Sequence, residues 1–478
     1  MDETPDGRTD AAAGVRGDGP GLIRAIETRL PAMRLRVDPI DRESYRRDET
    51  AYLRTGLPLA VALPETTADV AELVRLCGEH DVPVVPRGAG TGLSGGSAGI
   101  EGALTIAFTR MQQILEIDEA NLTVTTQPGV VNADLKTAVA ARGLFYAPDP
   151  ASYETCTIGG NLGTNAGGLC CVKYGVTRDA VIGLEVVMAD ATVLRLGGKN
   201  VKDVAGYGLI PLLVGSQGTL ALVTEATLRL RPAPPPRATL LAFFATLEAA
   251  GDAVAGLTSA GLSPVTLELM DRATIRAVDD VHHLGLDRDA AAMLLVESDL
   301  PGGAADAEME TAVPVCEGAG ATLVIRAADP QEAEWLREGR RLAFRALEQV
   351  GVARMEDVGV PRSRIPEMLR AIEAIGGRHR LRVATFGHAG DGNLHPTFIL
   401  DRDGGEAEVA RLEAARSDLY EAALALGGTV TGEHGIGAAR RDWLIRQRGA
   451  DAVAVMRAIK VALDPSDLLN PGRMLPPA

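Results

Sequence analysis

Between Thr66 and His80 the apolar residues Val70, Leu73, Val74 and Cys77 recur at i, i+3, i+4 and i+7, behind Pro64 and a threonine pair able to cap. That spacing predicts an amphipathic helix. It leads into VPVVP (82–86), a short β-branched strand, then into the glycine-dense run RGAGTGLSGGSAG, and the next apolar strand, ALTIAF, starts at Ala103. A strand-like ATLRLR (226–231) is followed by RPAPPPR (231–237), which suits neither a helix nor a central strand and reads as a linker. Beyond it, helical stretches near 245–260, 330–349, 405–426 and 450–463 alternate with strand-like runs such as AAMLLVES (291–298) and LRVATFGH (381–388). The second half is therefore expected to be α+β.

The 478 residues suffice for two to four domains. Residues 1–20 are polar, charged and rich in Gly and Pro, and read as a disordered tail. A net charge of −16 without any Lys/Arg cluster argues against a nucleic-acid partner. No window approaches a transmembrane span and the acidic N-terminus lacks the regions of a signal peptide, so the expected location is cytoplasmic. Five cysteines, Cys77, Cys156, Cys170, Cys171 and Cys316, show no CxxC spacing, which excludes a disulfide framework, a cysteine zinc site and an iron–sulfur cluster carried by this chain alone.

Gly90 to Gly95 satisfies G-x-G-x-x-G, but a dinucleotide fold needs a crossover helix after it. Here further glycines follow, and the strand at Ala103 is read as arriving too soon for a parallel crossover. What remains is a loop whose backbone N–H groups can converge on an anion. A second cluster, TIGGNLGTNAGG (157–168), carries two asparagines. Two such loops suit an extended cofactor with a diphosphate and ring systems; the alternative is that both are only tight turns.

The strings PVVPRGAGTGLSGG, QPGV (127–130), PDP (148–150), TIGGNLGTNAGG, KYG (173–175), VKDVAGYGL, VGSQGTLALVTEATLRLRP, FGHAGDGNLHP, TGEHG and LNPG occur in order along residues 57–472. In them the chain resembles the FAD-linked oxidases of the vanillyl-alcohol oxidase/PCMH fold, and within these the group of glycolate oxidase flavin subunits, D-lactate dehydrogenases and D-2-hydroxyglutarate dehydrogenases. The resemblance implies an α+β protein: a PCMH-type FAD-binding domain (50–232), an α+β substrate or cap domain (236–425) and a C-terminal helical segment (426–478) that completes the site. It implies that Arg87, Gly88, Ala89, Gly90, Thr91, Gly92, Ser94, Gly95 and Gly96 wrap the FAD diphosphate. Pro148, Asp149, Thr157, Gly160, Asn161 and Thr164 would line the flavin, Val223 the adenine side, and Asn470 would close from the C-terminus. Relatives that hold flavin covalently often do so through a first-loop histidine, whereas Leu93 and Ser94 follow Gly92 here, so noncovalent FAD is expected. Two departures are Gln217 and Gly208, where the family usually has Glu and Asp; both remove a carboxylate near the cofactor domain.

In LRVATFGHAGDGNLHPTFIL two apolar strands around a Gly-Asp-Gly turn form a hairpin with His388 and His395 at the ends of its loop. TVTGEHGIG (429–437) adds Glu433 and His434 ahead of a helix expected to start near Ala438. Two imidazoles and a carboxylate make three ligands for a divalent ion such as Zn²⁺ or Mn²⁺ with positions left for substrate. The resemblance implies just that set, His388, His395 and Glu433, with His434 as the base. Within EAEWLREGRRLAF (332–344), a predicted helix, Arg340 matches the family's substrate arginine after Trp335, and a guanidinium can grip a carboxylate through two bonds. A solvated helical arginine is the plainer alternative.

These features converge on an FAD-dependent enzyme oxidising a small D-2-hydroxy acid, glycolate or D-lactate first, by hydride transfer to flavin. The rival readings are a D-2-hydroxyglutarate dehydrogenase, a flavin-dependent alkyl transfer like that of alkyl-dihydroxyacetonephosphate synthase, and a flavin subunit inactive until an iron–sulfur partner docks. The electron acceptor is not encoded in any motif.

Overall fold

The computed structural model describes residues 16–50 and 52–477. Residues 1–15 of the expected tail lie outside them. The last tail residues are built into structure instead: Asp18 accepts from Gly21 N at 2.8 Å and caps the helix Gly19–Arg29, with Pro20 in its first turn, where a missing N–H costs nothing.

The first sheet runs in the order Arg34–Arg36, Ala60–Leu63, Leu104–Ala107, Val84–Arg87. The helix Thr67–Glu79 crosses between two of these strands, closed by a Thr66/Asp69 capping box, and buries Val70, Leu73, Val74 and Cys77 as their spacing required. A strand at Ala103 does not come too soon for a parallel crossover, contrary to expectation. Val84–Arg87 and Leu104–Ala107 are parallel neighbours, so the glycine loop between them is itself the crossover, long enough to return without a helix. The rejection of a dinucleotide fold stands because no helix follows the loop.

A second sheet of five antiparallel strands runs Ile114–Asp118, Thr123–Thr126, Leu222–Arg229, Val181–Val187, Val193–Gly197. The unit holding these two sheets is not bounded by residues 50 and 232. Strand Arg34–Arg36 and helix Gly19–Arg29 belong to its first sheet and core, and the C-terminus returns to it. Asn470 N donates to Val84 O at 2.8 Å, while Ile459 and Leu463 of the helix Ala450–Leu463 pack on the core around Leu184 and Val186.

The eight-stranded third sheet lies between residues 238 and 400, in the order Ala321–Arg326, Ala238–Phe244, Ala292–Ser298, Thr266–Asp271, Arg382–His388, Asn393–Leu400, Val352–Met355, with Val358–Gly359 also pairing Asn393–Leu400. Its strands are apolar on both faces. Leu240, Ala242 and Phe244 face the helices Leu247–Ser259, Ala304–Gly318, Ile365–His379 and Glu406–Ala425; Leu241 and Phe243 face Arg272–His282 and Ala343–Val350. This period-2 division is what a sheet with helices on both sides demands. The helix expected over 330–349 is broken at Leu342 into Pro330–Arg341 and Ala343–Val350. The helix expected near Ala438 is displaced: residues 437–442 are turns, held by Ala438 and Ala439 N–H groups on Ser94 O, and helix begins only at Trp443–Arg448. Among the described residues no helix is long and apolar enough to cross a membrane.

Candidate active site

Strand Val84–Arg87 delivers the first glycine loop to one wall of a cavity of about 560 Å³, a size typical of small-molecule and cofactor sites. Arg87 is buried and spans the loop, donating to Arg47 O at 2.8 Å and Ser97 O at 3.2 Å. Gly90 has φ +82°, and a Cβ there would lie 2.1 Å from Arg87 Nη2. The N–H groups of Ala89 to Leu93 make no hydrogen bond to another described residue and line the cavity, which leaves a row of donors for an anion. Gly88, Ser94 and Gly96 share this wall; Gly95 does not, because its N–H is turned to Thr50 Oγ1 at 2.8 Å.

The second glycine cluster is a helix start rather than a loop. Thr157 accepts from Gly160 N at 3.3 Å and caps Ile158–Thr164, and Thr157, Gly160, Asn161 and Thr164 all line the cavity, Thr157 and Gly160 at the positive end of that helix. Val223 lines it from strand Leu222–Arg229. Two expected lining residues do not reach it. Pro148 carbonyl is tied to Asn132 Nδ2 at 3.3 Å, and Asp149 points away, accepting from Cys170 N at 3.1 Å and pairing with Arg341 at 3.3 Å. Their neighbours Pro150, Ala151 and Ser152 take the position instead. Asn470 acts from behind the wall, donating to Gly96 O at 2.8 Å and Gln217 O at 2.7 Å. Gln217 bridges Ser94 and Gly437 through its amide, and the other departure, Gly208, is exposed at the start of Leu209–Leu213.

The opposite wall carries the histidines. In the hairpin register Phe386 faces His395 and His388 faces Asn393, so Phe386, His388 and His395 share one sheet face. His395 thus lies within its strand, not at the loop end. Glu433 enters from the chain after Glu406–Ala425, and its Oε1 stands 3.3 Å from both His388 Nε2 and His395 Nε2. Gly167 makes room for it: a Cβ there would lie 2.5 Å from Glu433 Oε2. The His434 ring stacks on His395 with centroids 5.1 Å apart. Arg340, on Pro330–Arg341, is 4% exposed, stands over the Phe386 ring and pairs with Glu268.

Two buried carboxylates that the sequence did not single out organise this wall. Asp357 accepts from Asn393 Nδ2, Thr431 Oγ1 and the N–H groups of Glu433 and His434, at 2.6–3.1 Å. Glu268 Oε1 is 2.7 Å from His388 Nδ1. Each is an acid inside or beside an apolar strand, TLELMD or VARMEDVG, and a charge in such a place needs a partner; that mismatch was the available signal.

Burial pushes Glu433 up, but His388 and His395 outweigh it and hold its carboxyl well below the usual range. Asp357 is likewise raised by burial and held low by His434, His395 and Arg440. His388 loses from burial and gains more from Glu268 and Glu433, so it titrates well above an ordinary imidazole. His434 goes the other way: burial, against the pull of Asp357, lowers it to about 4. A neutral imidazole therefore sits beside a strongly anionic pair.

Residues 58–197 match the FAD binding domain model, and residues 233–474 match the model of the FAD linked oxidases, C-terminal domain. The chain belongs to the FAD-linked oxidase family. It is 45% identical over 431 residues to the glycolate oxidase subunit GlcD of Bacillus subtilis, covering 90% of this chain and 91% of that protein. It is 35% identical to the D-lactate dehydrogenase of Anaerostipes hadrus (95% and 97% covered) and to the D-2-hydroxyglutarate dehydrogenase of Xanthomonas citri (95% and 96%). Its fold matches that of p-cresol methylhydroxylase with a TM-score of 0.77 at 17% identity, over 95% of this chain and 96% of that one. This FAD-linked oxidase thus has the PCMH-type architecture that its motifs implied.

Proposed function

We propose that this flavoenzyme oxidises a small D-2-hydroxy acid, glycolate or D-lactate, to the 2-oxo acid, with noncovalent FAD and a divalent ion, Zn²⁺ or Mn²⁺, on His388, His395 and Glu433. The observation that carries it is the convergence, on one cavity opposite the glycine loops, of that triad with His434 and Arg340. Glycolate, D-lactate and D-2-hydroxyglutarate are what the relatives' names specify.

The residues suit both absent groups. Arg87, Gly88, Ala89, Gly90, Thr91, Gly92, Ser94 and Gly96 offer an anion-sized row of donors for the diphosphate, with Thr157, Gly160, Asn161 and Thr164 toward the flavin and Val223 toward the adenine. Among the described residues the cavity wall contains no Cys or Tyr, and its three histidines all belong to the carboxylate cluster, which favours noncovalent attachment. The 3.3 Å edges of the triad compare with about 3.4 Å between ligand atoms of a tetrahedral zinc site.

Bound flavin supplies the hydride acceptor, and a divalent ion supplies a Lewis acid for the substrate's oxygens. The chain does the rest. Arg340 grips the carboxylate and fixes the α-carbon. His434, with Nδ1 turned to Asp357 4.0 Å away, presents Nε2 to receive the hydroxyl proton, and its depressed basicity keeps it neutral at the working pH. Leu169, Phe344 and Phe386 keep the reacting atoms from water.

One observation favours a dicarboxylate. Arg354 also lines the cavity and has no carboxylate partner among the described residues, which fits D-2-hydroxyglutarate. The term subunit in the GlcD name is compatible with an electron-accepting iron–sulfur partner.

The test is anaerobic mixing of metal-loaded holoenzyme with glycolate, D-lactate, L-lactate and D-2-hydroxyglutarate while flavin absorbance is followed. Bleaching by glycolate or D-lactate and not by L-lactate supports the proposal. Faster bleaching by D-2-hydroxyglutarate selects the dicarboxylate reading, and no bleaching by any of them overturns both.

A further inference from the structure

Glu268 is 1% exposed in the middle of the apolar strand Thr266–Asp271. An ionised carboxylate there costs several kcal/mol, on the order of the penalty for any buried ion, unless it is paired. Both of its oxygens are engaged, with different halves of the site. Oε1 lies 2.7 Å from His388 Nδ1, and Oε2 lies 2.6 Å from Arg340 Nη2. The sheet dictates the first contact: Leu269 pairs with Gly387 and Met270 with Phe386, so one step further along the same antiparallel ladder Glu268 stands opposite His388. The helix Pro330–Arg341 brings the second from above, with the Arg340 guanidinium resting 4.7 Å over the Phe386 ring.

We infer that Glu268 is a positioning residue which couples the metal half of the site to its carboxylate clamp. By accepting the Nδ1 proton of His388 it fixes the imidazole so that Nε2 faces Glu433 and His395. By pairing with Arg340 it holds the guanidinium beside Phe386 and leaves its other N–H donors for a substrate carboxylate. One rigid side chain thereby sets the spacing between the ion and the clamp, and so the spacing that a substrate's hydroxyl and carboxylate must match. The inference rests on the proposed roles of His388 and Arg340.

Glu268→Gln tests it, because glutamine keeps the shape but has a single acceptor: it satisfies His388 or Arg340 and turns an NH₂ on the other. In flavin-loaded, metal-stripped protein, Zn²⁺ titration should show an affinity 10- to 100-fold weaker than wild type, the size expected for loss of such a support. After saturation with Zn²⁺, KM for D-lactate should rise at least tenfold, roughly the effect of one mispositioned charged contact, while flavin content stays unchanged. Glu268→Asp retains both oxygens and should recover part of both losses. A readout on the unmutated protein removes dependence on variant folding: ¹⁵N spectra of histidine-labelled, Zn²⁺-loaded enzyme should place the His388 proton on Nδ1. Wild-type metal affinity and KM in Glu268→Gln, or ligation of His388 through Nδ1, overturns the inference. If the wild type itself binds neither Zn²⁺ nor Mn²⁺, the proposed metal site fails first and takes this coupling with it.

Discussion

Gly437 N donates to Gln217 Oε1 at 2.8 Å, joining residues 220 positions apart and fastening the C-terminal loop to the first glycine loop, since the same side chain donates to Ser94 Oγ at 3.0 Å. The chain bearing Glu433 and His434 is thus held against the cofactor wall by an amide. Gln217→Ala leaves a buried donor unpaired and should cost about 1–3 kcal/mol of stability in urea unfolding of the holoprotein. Gln217→Glu, whose two oxygens can accept from both Gly437 N and the Ser94 hydroxyl, should lose less than Gln217→Ala.

Gly90→Ala should nearly abolish flavin binding. Its φ of +82° costs an L-residue about 1–2 kcal/mol, and the new Cβ displaces Arg87 from Arg47 O and Ser97 O. The flavin-to-protein absorbance ratio after purification measures this. In the wild type, acid precipitation should release all the flavin to the supernatant.

Exhaustive chelation should stop turnover and leave flavin bound, and Zn²⁺ or Mn²⁺ should restore it. His395→Ala should lose metal by elemental analysis while retaining flavin, since the His395 ring stands against Glu433, Asp357, Phe386, His388 and His434, on the wall opposite the glycine loops. Full activity in metal-free protein would make the two histidines structural.

His434→Ala should slow anaerobic flavin reduction by about 10²- to 10⁴-fold, the usual contribution of a positioned base. Oxalate binding should change far less, because Arg340 and the triad remain. Loss of metal together with flavin would instead mark His434 as an anchor of the loop.

Glu297, fully buried, is raised by burial but held at about 2 by Arg337 and Arg237. Its folded pKa lies below its unfolded value, so it stabilises fully above about pH 4.5 and the contribution, about 3 kcal/mol, is lost as pH falls toward 2. Unfolding by urea at pH 6 and pH 3 should show that slope in the wild type and a reduced one in Glu297→Gln. At pH 6 the variant should already be weaker by about 3 kcal/mol, because the buried Arg337 and the half-buried Arg237 lose the carboxylate they share, Arg337 keeping only Glu334.

What the sequence alone determined is what is written in contiguous residues. The helix Thr67–Glu79 follows from one apolar stripe and a cap; the hairpin around His388 follows from two apolar runs and a Gly-Asp-Gly turn; the glycine loop follows from residues whose backbone must take positive φ. The α+β class and the family likewise follow from ordered local motifs, whose neighbourhood also holds His388, His395, Glu433, His434 and Arg340, residues that the fold brings to one cavity. Tertiary structure alone decided the rest, because it depends on pairings that no local pattern encodes. Strand register set Glu268 behind His388; the approach of the C-terminal loop gave Asp357 three of its four donors, the hairpin's Asn393 supplying the other; the competing attraction of Cys170 N and Arg341 drew Asp149 out of the cavity. The parallel pairing across the first glycine loop and the return of Asn470 to Val84 are of the same kind. A buried charge or an unpaired N–H takes whatever partner the packed fold brings within 3 Å or so, and that partner can lie anywhere in the chain.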